Sequence, residues 1–205
     1  GEIAYMDRAI GEVFQALRDE GVFDETLVIV TSDHGEQLGQ HNAYGHDALH
    51  DSVTHMPLVM RYPGKLPKGR RVKGLGQHID LLPTILELTG APPKVPGIDG
   101  QSLLPLLEGT ELRDRIFMEH VGRQRAIRTK EWKLIHFIDR GMYELYHVAR
   151  DPMEVINLEG EEEKEGPLLK GALQEWVKTS LKEGEEDPML ASRERRRLGV
   201  GPRGE

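Results

Sequence analysis

Over residues 2–20 the apolar side chains Ile3, Met6, Ile10, Val13, Phe14 and Leu17 recur at three- and four-residue steps. That period puts them on one face of an amphipathic helix, and Gly21 supplies its stop. The next apolar run, Leu27-Val28-Ile29-Val30, is continuous and β-branched. Such a run predicts a short strand buried on both faces in a parallel sheet, and helix followed by buried strand reads as α/β. Directly after it stand Ser32, Asp33, His34, Gly35 and Glu36. Open α/β sheets bind ligands outside the carboxyl ends of their strands, which makes this polar cluster the first candidate site.

Pro57 introduces a second apolar strand over 58–62, and Pro63-Gly64 ends it in a turn. Asp80 is placed to cap a helix whose first turn tolerates Pro83, with Ile85, Leu86 and Leu88 as its apolar face and Gly90 as its close. Proline and glycine make 91–100 a loop. From Ile116 the pattern changes to short strand-like runs at 116–119, 126–129, 132–137 and 143–148, with turns at Lys130-Glu131 and Arg140-Gly141. This predicts a small antiparallel sheet. Leu168, Leu169, Leu173, Trp176, Val177 and Leu181 then form an amphipathic helix, and the charged remainder is expected to be disordered. No internal repeat occurs.

Composition narrows the function. The 205 residues carry a net charge of -8, which disfavours a general nucleic-acid binder. The longest apolar runs are too short to cross a bilayer, so no membrane span is expected. Cysteine is absent, which excludes disulfides and thiolate chemistry within these residues and leaves the compartment open. Residue one is Gly rather than Met, so the chain is expected to come from the middle of a longer reading frame.

Several motifs, taken in order, resemble the second half of a sulfatase, in the alkaline phosphatase-like superfamily. They are Tyr5-Met6-Asp7-Arg8 on a helix, Thr31-Ser32-Asp33-His34-Gly35-Glu36 after a strand, and Leu38-Gly39-Gln40-His41. Pro57-Leu58-Val59-Met60-Arg61-Tyr62-Pro63-Gly64, Ile79-Asp80-Leu81-Leu82-Pro83-Thr84 and Asp99-Gly100-Gln101-Ser102-Leu103-Leu104-Pro105 follow in the family's order. Arg128-Thr129, Glu144-Leu145-Tyr146, Asp151-Pro152 and Asn157-Leu158 are similar to its terminal sheet. The resemblance implies a central sheet flanked by helices, with a small C-terminal antiparallel sheet and a packed helix. It divides the chain into residues 1–110, the C-terminal part of the catalytic domain; 111–182, the antiparallel-sheet subdomain with the final helix; and 183–205, the charged tail.

The same resemblance implies a mechanism in which a formylglycine, made within a Cys-x-Pro-x-Arg type motif, attacks a sulfate ester beside a divalent metal. No such motif occurs in these residues. The missing amino-terminal half is therefore expected to supply the nucleophile and further acidic ligands, and the isolated chain is expected to be inactive. By resemblance Asp33 and His34 are metal ligands. Calcium is the metal expected, and the imidazole of His34 also suits manganese or zinc. His46 falls where many sulfatases carry a Lys that contacts a sulfate or leaving-group oxygen, and a His can donate a proton there. His41, His50 and His55 match no compact zinc motif and read as supporting loop residues. Glu36 reads equally as an orienting carboxylate and as a favourable residue in a helix's first turn. Trp132, Trp176, Tyr143 and Tyr146 read as packing residues, and the acidic run 159–165 as a solvated turn. The function expected is metal-dependent hydrolysis of a small-molecule sulfate ester. The alternatives are a phosphonate or phosphodiester hydrolase of the same superfamily, and a non-catalytic metal-binding or interaction module.

Overall fold

Alternation and three- to four-residue periodicity, where the sequence shows them, become strands and helices in the expected order. The computed structural model describes residues 1–91, 97–120, 122–181 and 185–197. Along the chain the helices are α1 (Glu2–Asp19), α2 (Asp51–Thr54), α3 (Leu81–Thr89), α4 (Glu165–Ser180) and α5 (Pro188–Arg197). The strands are β1 (Val28–Thr31), β2 (Gln37–Leu38), β3 (Tyr44–Gly45), β4 (Leu58–Arg61), β5 (Arg115–His120), β6 (Gln124–Thr129), β7 (Lys133–Phe137) and β8 (Met142–Tyr146). They fall into two units, Gly1–Asp33 with Met56–Arg71, and His34–His55 with the chain from Val72 onward.

In the first unit α1 ends as expected, with Gly21 in the left-handed region at φ 72°. Its apolar stripe stays exposed, Ile3 and Met6 included. The strand expected to be parallel is not: β1 pairs antiparallel with β4, with Val28 opposite Arg61 and Thr31 opposite Leu58. It is half-buried rather than covered on both faces. A β-branched run encodes burial but not partner direction, which is set by where the chain re-enters the sheet. Arg61 hydrogen-bonds the Phe23 carbonyl at 2.8 Å, pairs with Asp24 and lies over the Phe23 ring.

The second unit is built on the antiparallel sheet β5-β6-β7-β8. Period-two alternation gives it two buried faces. Ile127, Leu134 and Leu145 face α4, where they meet Leu169 and Leu173, with Phe117, Trp132, Tyr143 and Trp176 packed around them. Phe117 and Trp176 stack with ring centroids 4.8 Å apart. Ala126, Ile135, Phe137, Tyr146 and Val148 form the opposite core with Leu49. Leu49 belongs to the His-rich segment, so burying it fastens that segment to the sheet; a buried leucine contributes about 2 kcal/mol.

Two further expectations change. Asp80 precedes α3, but its carboxylate does not cap that helix; it accepts from the backbone N–H groups of Gln77 and Gln101 and from Arg113 in a bidentate pair at 2.5 and 2.8 Å. Thr84 accepts from the Leu103 N–H, so the motif around Asp80 and the one around Gln101 hold one another. Of the tail expected to be disordered, Pro188–Arg197 is helical. Asp187 accepts from the Met189 N–H at 2.9 Å and pairs with Arg125 at 2.6 Å, and Met189 is buried. Charge density hid a local cap and one apolar anchor. The loop expected at 91–100 lies partly outside the described residues, at 92–96.

Candidate active site

The segment His34–His55 carries most of the candidate chemistry. Gly35 anchors its start, donating its N–H to the Val53 carbonyl at 2.7 Å, and a Cβ there would collide with the Ser52 carbonyl. A two-rung hairpin follows, β2 paired with β3, with Gln37 opposite Gly45 and Leu38 opposite Tyr44. Its turn uses left-handed backbone at His41 and Asn42, φ 53° and 55°. Extending the register one step sets Glu36 against His46.

Their side chains meet, with Glu36 Oε2 3.2 Å from His46 Nδ1. The His34 ring lies beside His46, centroids 4.2 Å apart. His34 Nδ1 donates to the Gly35 carbonyl oxygen at 2.9 Å, which leaves the lone pair on Nε2. One ligand atom each from His34, Glu36 and His46 lies within 4.8 Å of the others, and all three side chains are exposed. Glu36 is thus not in a helix; it stands just before β2 and faces His46. The hairpin register could have revealed that pairing from sequence, because Gly39 and the polar residues after it mark the turn.

Asp33 is exposed two residues beyond β1, at the end of the first unit. Of the residues expected at the site, the structure brings His34 and His46 together.

Beneath this group lies a buried polar network that sequence reasoning treated as loop support. His50 is 4% exposed, its Nε2 3.1 Å from Glu144 Oε2. Tyr146 donates to the same oxygen at 2.9 Å. Burial opposes ionisation of Glu144, but the hydrogen bonds from His50 and Tyr146 outweigh it and hold the carboxyl below its usual range. Burial and the neighbouring Glu144 push the Tyr146 phenol up. His41 stacks on His50 at 3.7 Å; burial and then His50 lower its basicity. Lys133, fully buried, reaches Asp51 at 2.8 Å and Glu154 at 3.0 Å, and Glu154 accepts from the Asp51 N–H. Burial resists the charge of Asp51, and Lys133 overcomes it, so that carboxyl too lies below the usual range.

This geometry belongs to a known family. The Sulfatase family model matches residues 1–91. An N-acetylglucosamine-6-O-sulfatase of Bacteroides thetaiotaomicron is 33% identical over 173 residues, 77% of this chain and 31% of that protein. A solved structure of a protein bound to its substrate D-glucosamine-2-N,6-O-disulfate is 30% identical at a TM-score of 0.75, over 86% of this chain and 39% of the other. The phosphonate monoester hydrolase of Agrobacterium radiobacter is also 30% identical, at a TM-score of 0.70, over 93% of this chain and 40% of the other. The chain belongs to the sulfatase family and has the alkaline phosphatase-like fold. It spans about a third of the length of the curated relatives it matches.

Proposed function

We propose that this chain contributes one side of the active site of a metal-dependent sulfate-ester hydrolase. The observation that carries the reading is the contact between Glu36 and His46 beside His34, within a sulfatase-family segment. Glu36 accepts from His46 Nδ1, fixing the ring and leaving Nε2 to face an incoming group. A His held in this way donates a proton to a departing ester oxygen, the role proposed for His46. The relatives' sulfated glucosamine substrates support a small sulfate ester as the class of ligand.

The donor chemistry fits a divalent cation. Asp33 offers a hard carboxylate oxygen, and the Nδ1–H bond of His34 to Gly35 presents Nε2 as a ligand. Asp33 and His34 would hold it, with calcium, manganese or zinc all compatible. When bound, such a cation polarises the ester and balances developing charge. The nucleophile, a formylglycine by family resemblance, would come from residues other than these 205.

The phosphonate monoester hydrolase at comparable similarity supports a second reading, hydrolysis of phosphonate or phosphate esters on the same scaffold. The test is hydrolysis of paired aryl sulfates and aryl phosphonates by the protein carrying these residues, purified from its native source. Faster sulfate turnover supports the first reading and faster phosphonate turnover replaces it with the second. In that protein Asp33→Ala should lose metal, read by elemental analysis, together with activity; full metal content would remove Asp33 from the ligand set. His46→Ala should slow esters with poor leaving groups more than those with good ones, and equal losses would defeat the acid role.

A further inference from the structure

We infer that His34, Glu36 and His46 form a cation site of their own, selective for borderline transition metals such as zinc, that does not use Asp33. Two imidazoles and one carboxylate are the donor set of open zinc centres, in which water or a ligand fills the fourth position. The spacing agrees. Two donors at about 2.0–2.1 Å from a tetrahedral zinc lie roughly 3.3 Å from one another, and Glu36 Oε2 and His46 Nδ1 are 3.2 Å apart. A cation there takes the place of the proton those two atoms share. His34 is prepared as the third ligand, because its Nδ1–H on the Gly35 carbonyl fixes the tautomer with its lone pair on Nε2, the outer hydrogen bond that metal-binding histidines use.

The site is preorganised by sequence-local structure. All three residues lie within one thirteen-residue stretch of the second unit, and the β2–β3 register places Glu36 opposite His46. Exposure of all three leaves an entry path. Nitrogen donors select against calcium, which takes six to eight oxygens. The proposal stands on these contacts and does not depend on the sulfatase reading, so loss of ester hydrolysis and loss of zinc binding are separate results.

The experiment is calorimetric titration of this 205-residue chain with zinc chloride and, separately, calcium chloride, with the visible absorption of bound cobalt as a second readout. One equivalent of zinc should bind, cobalt should give the intense bands of a low-coordinate site, and calcium should not compete. His46→Ala and Glu36→Ala should each weaken zinc binding by at least about tenfold, with thermal melts matching the parent chain. His46→Gln repeats the test with a side chain of similar length. Asp33→Ala should leave the affinity within about twofold. The site is overturned if zinc does not bind stoichiometrically, if the Glu36 and His46 variants bind as the parent does, or if Asp33→Ala loses as much as they do.

Discussion

The imidazole of His50 and the carboxylate of Glu144 meet at 3.1 Å although 94 residues separate them in sequence. This contact, with Leu49 in the core beside it, ties the candidate-site segment to β8. His50→Ala would leave Glu144 without one of its two side-chain donors and open a cavity under His41. The expected cost is about 2–3 kcal/mol, read as a lower urea midpoint, with faster amide exchange at Val53 and Thr54. Unchanged exchange there would show that the segment is held by Leu49 alone.

Lys133 sits between two acidic partners with no exposed surface. Replacing it with alanine strands Asp51 and Glu154 as buried charges, and about 3–5 kcal/mol of stability should be lost. Lys133→Met combined with Asp51→Asn and Glu154→Gln should recover part of that loss, because no unpaired charge remains. Denaturant unfolding of the single and triple variants checks both statements.

Asp80 sets an acid limit. Burial resists its charge, but Arg113 and the N–H groups of Gln101 and Gln77 more than compensate, and its folded-state pKa lies below the ordinary value. A depressed carboxylate contributes stability above its unfolded pKa, near 4, and that contribution is lost as pH falls through the folded value. Stability should therefore decline below about pH 4, and Asp80→Asn should be less stable at pH 7 with a shallower acid slope. An acid slope identical to that of the parent chain would show that other carboxyls set the limit; Asp51 and Glu144 are depressed as well.

Gly35→Ala pushes a methyl group into the Ser52 carbonyl and disturbs the 2.7 Å bond from the Gly35 N–H to Val53. A lower melting temperature and weaker zinc binding should appear together, because His34 and Glu36 flank the displaced backbone. A variant that melts lower yet binds zinc normally would separate the anchor from the site.

Much of this was legible because local pattern and local structure coincide. Phe117, Ile127, Leu134 and Leu145 alternate with their neighbours, and they form one face of the terminal sheet as alternation requires. Gly21 and Gly90 mark helix ends through left-handed backbone that glycine adopts without strain. The direction of β1 was not legible, since Val28, Ile29 and Val30 suit either kind of pairing. Asp80 looked like a helix cap because the partner that claims it, Arg113, lies 33 residues away. At the site, His34 and His46 were named from motif position, whereas the role of Glu36 depended on a two-rung hairpin too short to announce itself. The His50–Glu144 contact lies beyond any local period.

The burial of Lys133 has a practical side. Trypsin must reach a lysine side chain to cut after it, and this one lies mid-strand in β7, flanked by β6 and β8. Scission at Lys133 therefore reports molecules in which the sheet has opened, whereas scission at exposed Lys130 reports the native surface. The ratio of those two peptides in a timed digest gives a clock for sheet opening, built into the chain three residues apart.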